Sequence, residues 1–328
     1  MASTSQHHVA VVGGDTLLAR ELREVLEAES PAPRIHLIAA TADNSTVLSA
    51  DDEDVAVMTP LTAESLEGNS VTFLAGSPAS SRRTLKLAPS TPLIDLTASL
   101  DGQPEARLRA PSAEPANTRR TKATMQVIAH PAAIAITTLL ARLSVTGKLR
   151  ACVAHVFEPA SERGKRGIEE LQQQTIAVLN FQKLKTDVFD TQAAFNMLAA
   201  YGEEAEEGLD VVEARLISHL ETLLGGRIPM PSLRLVQAPV FHGYSISVWI
   251  RFAQAAPVEA LTGFLSTSGF DVRAEEPPAN AGIAGESGIS VGAISVDKQD
   301  ANACWAWLVA DNLRLAAESA VARIEDLA

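Results

Sequence analysis

Val9-Ala10-Val11-Val12-Gly13-Gly14-Asp15-Thr16-Leu17-Leu18 opens the chain with a short apolar run, a glycine pair and the start of a helical pattern. From Thr16 to Glu29 the residues Leu17, Leu18, Leu22, Val25 and Leu26 recur at helical spacing, and Ser30-Pro31 and Pro33 stop the helix. A second apolar run, Ile35–Ala39, follows. Strand, glycine turn, helix and strand in that order make a βαβ unit, which implies parallel strands and right-handed crossovers.

Further strands are expected at Val55–Val57, Val71–Leu74, Pro92–Leu96 and Thr124–Ala129. Asp101–Lys122 is rich in Pro, Ala and Arg and reads as a surface loop. Residues 8–130 therefore read as a doubly wound α/β domain with a Rossmann-like parallel sheet. The second half changes character. Helices are expected at Ala132–Leu143, Gly167–Asn180, Val211–Leu224, Pro257–Ser268 and Leu313–Leu327, with an acidic loop at Glu203–Glu207. A long strand is expected at Arg150–Phe157. Leu233–Ala238 and Ser245–Phe252 read as neighbours in one mostly antiparallel sheet, and Glu275–Gly288 as a Pro/Gly-rich loop.

The chain has 328 residues, enough for two domains, and 46% of them are apolar, enough for a sizeable core. Its net charge of -13 disfavours nucleic acid or an anionic membrane as partners. The two cysteines, Cys152 and Cys304, have neither disulfide-framework nor zinc spacing and suit a reducing compartment; both read as buried core thiols. No apolar signal region or membrane-length window is present, so the expected location is cytoplasmic. No His/Asp/Glu cluster has metal-ligand spacing, and His7 and His8 read as part of a solvated end.

Four segments beyond the N-terminal turn carry a family resemblance: Gly164–Thr175, Phe189–Asn196, Gln237–Ser245 and Asp311–Arg314. In this order they resemble the aspartate-semialdehyde dehydrogenase family, and within it a degenerate, Usg-like branch that has the same Gln237-Ala238-Pro239-Val240 run. The resemblance implies a Rossmann domain, residues 8–130 with the last helix 312–328, and an α+β dimerisation domain, residues 131–311, of the glyceraldehyde-3-phosphate dehydrogenase C-terminal type. It also implies a homodimer formed through the second sheet, and NAD or NADP as cofactor.

The resemblance assigns positions one at a time. The family's attacking cysteine falls at Ala133, two residues after Pro131. A methyl group cannot form the covalent intermediate. The family's general-base histidine falls at Tyr244, a poor base at neutral pH. The substrate-carboxylate arginine falls at Gln237, which offers no charged clamp, and the active-site glutamine at Glu158, which brings a negative charge. Loss of a nucleophile alone commonly costs a factor on the order of 10⁴ to 10⁶ in turnover. Cofactor contacts are expected at Gly13, Thr16, Leu17 and Asn312, but Thr16 obstructs close approach of a pyrophosphate, and Asp15 is expected to cap the helix and occupy the anion site. Asp43 is the one candidate for a ribose hydroxyl.

Beside a purely structural subunit of a larger assembly, two readings of function stand on these residues. One is a catalytically degenerate homologue, a dimeric scaffold acting through a protein partner or a small ligand. The other is an NAD(P)-dependent oxidoreductase acting on an aldehyde or acyl phosphate with a non-standard site. In that reading His242, which shares a face with Tyr244 in an extended segment, pairs with Glu158 across the cleft. His130 and His155 read as satisfied or surface histidines.

Overall fold

The computed structural model describes residues 7–40, 47–51, 54–87, 89–114 and 123–324. It divides into two compact units: Met1–Ala129 with Ala316–Ala328, and His130–Leu315.

In the first unit, β1 (His8–Val12) leads through the glycine turn into α1 (Leu17–Ala28) and β2 (Arg34–Ile38). α1 buries Ala19, Leu22, Val25 and Leu26, the stripe its spacing specifies. β5 (Val71–Leu74), β6 (Leu93–Asp95), β7 (Ala106–Arg109) and β8 (Met125–Ile128) complete a six-stranded sheet. Its order is β2-β1-β5-β6-β8-β7 and every pairing is parallel. The chain moves outward from β1 to one edge, then returns to build the other, as a doubly wound sheet does.

Two expectations need correction here. The strand at Val55–Val57 exists as β4 (Asp54–Met58), but it pairs antiparallel with β3 (Val47–Asp51) in a separate hairpin. The stretch read as a surface loop contains β7, an edge strand of the main sheet. Its charges concealed it. Arg109 is fully buried because Glu114 takes its guanidinium in a two-pronged pair, with oxygens 2.9 Å from Nε and 2.7 Å from Nη2.

The second unit is built on β9 (Leu149–Glu158), β10 (Ser232–Gln237), β11 (Tyr244–Phe252), β12 (Asp271–Arg273), β13 (Ser290–Val296) and β14 (Ala303–Ala310). The order is β10-β9-β11-β14-β13-β12, with antiparallel pairing across the centre and a parallel pair at each edge. β10 and β11 share this sheet but, contrary to the expectation from sequence, are not neighbours; β9 lies between them and runs parallel to β10. Helices α4 (Pro131–Thr146), α5 (Gly164–Leu179), α6 (Leu209–Leu224) and α7 (Val258–Thr267) accompany it. α4 is apolar nearly all round and is buried along most of its length, so it forms the centre of this core. The side chains Val153, Trp249 and Trp305 lie in one row across β9, β11 and β14, and all three are partly exposed. The final helix, α8, spans Asn312–Val321.

Candidate functional site

Four chain segments converge where β9, β10, β11 and α4 begin or end. His130 is the N-cap of α4, and its Nδ1 accepts a hydrogen bond from the backbone N–H of Ala132 at 3.3 Å. That nitrogen therefore carries no proton, and the neutral ring holds its proton on Nε2. Nε2 lies 3.2 Å from the hydroxyl of Tyr244, the first residue of β11. Burial, and the nearby positive charge of Arg215 and Arg163 together with His219, keep His130 well below the ordinary histidine range. It is thus a neutral donor to Tyr244. The Tyr244 hydroxyl in turn donates to Glu158 Oε2 at 3.4 Å.

Glu158 ends β9 and is fully buried. Its other oxygen accepts from Arg163 Nη2 at 3.0 Å and lies 3.2 Å from the Tyr201 hydroxyl. Tyr201 also reaches Gln237 Oε1 at 2.7 Å, and Gln237 Nε2 donates to the carbonyls of Glu158 and Ala238 at 3.0 and 2.8 Å. Arg163 extends its second arm to Glu207 at 2.8 Å, and Glu207 also binds Arg215 on α6. The Arg163 guanidinium stands 5.3 Å from the centre of the Tyr201 ring, a cation–π contact.

The titration of these groups follows from their enclosure. Burial raises the Glu158 pKa, with Arg163 opposing it. Glu162, one turn further on, is pushed up to about 7 by burial and by the charge of Glu158. Burial and the two carboxyls push Tyr244 well above the ordinary phenol range, so it remains a neutral hydroxyl. Burial draws the Arg163 guanidinium down, but Glu158 and Tyr201 outweigh it and leave it firmly charged.

Not every polar atom is satisfied. Glu162 Oε1, Arg163 Nε, His242 Nδ1 and Asn312 Nδ2 are buried without a hydrogen-bond partner. Asn312 opens α8 and is held by its oxygen, which accepts from Ser161 Oγ at 2.9 Å and from the Gly243 N–H at 3.3 Å.

Three of the four positions singled out in the sequence, Glu158, Gln237 and Tyr244, thus lie in one hydrogen-bonded network. Ala133 lies in the first turn of α4, fully buried, and contributes only a methyl group. Two expectations change. Glu158 does not present an uncompensated negative charge, because Arg163 binds it. Tyr244 meets His130, which the sequence reading set aside, while the hydrogen bonds of His242 are those of its backbone, its carbonyl accepting from Asn280 Nδ2. Glu162, Arg163, Tyr201, Glu207 and Arg215 were not singled out. A signal existed for two of them: Ser161-Glu162-Arg163-Gly164 sets two charges just beyond a buried strand, where solvation is not assured.

The glycine turn belongs to the first unit. Gly13 has φ +89°, and an added Cβ would lie 2.2 Å from the Cα of Gly76, so only glycine serves there. The N–H groups of Gly13 and Gly14 both donate to the Ile38 carbonyl, at 2.8 and 3.2 Å. The Thr16 N–H donates to the Gly13 carbonyl at 3.0 Å. Thr16, not Asp15 as expected, is the N-cap of α1: its Oγ1 accepts from the Ala19 N–H at 3.1 Å and lies 2.7 Å from the Ala75 carbonyl. Four N–H groups, those of Gly13, Gly14, Thr16 and Ala19, are thus engaged within the turn and its surroundings, and Asp15 is exposed beside it. Leu17 begins α1 next to it, and Asn312 lies in the second unit. Asp43 lies outside the described residues.

Among the described residues, no group of three or more His, Cys, Asp and Glu is placed to hold a metal ion. Nor is any helix among them long and apolar enough to cross a membrane.

Comparison with known proteins places this architecture. The profile described as semialdehyde dehydrogenase, dimerisation domain, matches residues 140–315. A USG-1 protein homolog of Pseudomonas aeruginosa is 30% identical over 94% of this chain and 93% of its own. An aspartate-semialdehyde dehydrogenase of Rickettsia bellii is 25% identical over 95% of this chain and 94% of its own. The solved structure of a probable aspartate-semialdehyde dehydrogenase from Pseudomonas aeruginosa superposes with a TM-score of 0.85 at 28% identity, covering 98% of both chains. With a match over more than half its length and similarity along nearly all of it, the chain belongs to the semialdehyde dehydrogenase family.

Proposed function

We propose that this chain is a non-catalytic member of its family: a homodimer that binds a small ligand or a protein partner and does not carry out reductive dephosphorylation. The observation that carries the reading is Ala133. It stands at the expected position of the nucleophile, and its methyl group is buried at the start of α4. The surroundings support it. Gln237 has its amide tied to Tyr201 and to two carbonyls, and Tyr244 is a neutral phenol locked between His130 and Glu158.

Glu158, which the family pattern would leave facing substrate, is instead held by Arg163. The dimer is supported by the family's dimerisation domain and by the partly exposed row Val153, Trp249 and Trp305 on its sheet. The test is a steady-state assay with aspartate semialdehyde, phosphate and each nicotinamide cofactor, run beside an active family member. Turnover within about 10³-fold of that enzyme would overturn the reading.

A second reading, an oxidoreductase with a non-standard site, rests on Glu162, an acid that titrates near neutrality within reach of Tyr244. Calorimetric titration with NAD⁺, NADH, NADP⁺ and NADPH tests it. Micromolar binding of any of them would favour this reading and refute the account of the Thr16 turn.

A further inference from the structure

The cluster around Glu158 is nearly but not fully neutralised. Glu207 takes one arm each of Arg163 and Arg215, and Glu158 takes the other arm of Arg163. Glu162 is the third carboxyl. One side of it faces the Tyr244 hydroxyl, while Oε1 is buried and accepts no hydrogen bond. A buried acceptor left in this state costs about 1–3 kcal/mol, more if charged.

A second observation lies beside it. Asn312 is 1% exposed, and its amide is fixed by Oδ1 to Ser161, the residue before Glu162, and to Gly243, the residue before Tyr244. Its Nδ2 is buried with no partner. The same neighbourhood thus holds an unmatched carboxylate oxygen and an unmatched amide donor. A donor that carries positive charge answers the first, and an acceptor oxygen answers the second.

We propose that Glu162 and Asn312 form a binding site for a small primary amine carrying a neutral oxygen, an amino alcohol or amino amide, with the ammonium on Glu162 and the oxygen on Asn312. This deepens the non-catalytic reading and rests on it. An anionic ligand is disfavoured, because both guanidiniums are already engaged by carboxylates and Gln237 adds no charge. The charged and titratable groups that act on Glu162 are Glu158 on β9, Tyr244 on β11, Arg163 and Arg215. Glu162 itself is pushed up to about 7, so occupancy follows its ionisation.

The experiment uses the full chain and ethanolamine as probe, read by thermal shift and calorimetry at about pH 8 and about pH 5.5. Ethanolamine is expected to bind and stabilise at the higher pH, and to bind about tenfold more weakly at the lower one. Ethylamine, which lacks the oxygen, is expected to bind several-fold more weakly, and tetramethylammonium or matched sodium chloride not to bind. Glu162→Gln should abolish the effect, and Glu162→Asp, which keeps the charge, should retain part of it.

No binding at about pH 8 by the folded protein, or equal binding by Glu162→Gln, overturns the proposal. A dehydrogenase assay on the same preparation separates the two ideas. Turnover would overturn the non-catalytic reading whatever the amine does, and silence in both assays would overturn the amine site alone.

Discussion

The hydroxyl of Tyr244 lies 3.2 Å from Nε2 of a neutral, buried His130. His130 cannot turn its other nitrogen inward, because Nδ1 is occupied by the Ala132 N–H at the start of α4. The pair therefore has one direction: His130 donates, Tyr244 accepts, and Tyr244 passes its own proton toward Glu158. A base able to withdraw a proton from a substrate would need a free lone pair in this place, and neither ring supplies one.

Glu162 makes stability depend on pH. Its folded pKa of about 7 lies above the ordinary value of 4.5, so the native state holds this proton more tightly than the unfolded chain. The contribution is fully present below about pH 4.5 and is lost as pH rises to about 7. Unfolding free energy should thus fall across that window by on the order of 2 kcal/mol. Glu162→Gln should flatten the profile. Urea titrations at a series of pH values check this, and an unchanged slope in the variant would contradict the assignment.

Removing one partner of a buried ion pair costs more than removing both. Arg163→Met leaves Glu158 unpaired in a fully enclosed place and should cost about 3–5 kcal/mol. Adding Glu158→Gln should restore much of that loss. The chemical denaturation midpoints of the two single variants and the double variant form a cycle; additive losses would show that the pair is not coupled.

At the first turn, Thr16→Ala removes the N-cap of α1 and should cost about 1 kcal/mol. Gly13→Ala is a different case, since the new Cβ would collide with the Gly76 backbone at a positive φ. That variant should lose the folded first unit, seen as loss of cooperative unfolding. A mild effect would mean that the turn can open.

Trp305→Asp places a carboxylate in the partly exposed row on the second sheet, where the dimer is proposed to form. Light scattering should give twice 34.7 kDa for the native chain and 34.7 kDa for the variant. A native monomer would remove the dimer from the proposal.

The βαβ opening was legible because Val9–Val12 and the α1 stripe are buried as their periodicity demands. β7 was not, because Ala106-Arg107-Leu108-Arg109 carries two charges, and partners invisible in sequence, the Glu114 clamp and Gln126 Oε1, make one of them compatible with burial. Glu158, Gln237 and Tyr244 were reached through the resemblance, and the network joins them. Arg163 and Glu162 were missed for the same reason as β7. Charges after a strand read as solvated unless something removes them from water, and here that is Tyr201 and the bridge through Glu207.

The close approach of Gly13 to Gly76 changes what the opening glycine means. The ends of β1 and β5 touch backbone to backbone at this point, with room for a hydrogen and nothing larger. Selection for a folded sheet is by itself enough to preserve that residue, whether or not a nucleotide ever visits the turn. A glycine that reads as a cofactor's fingerprint can in this way be held by carpentry alone.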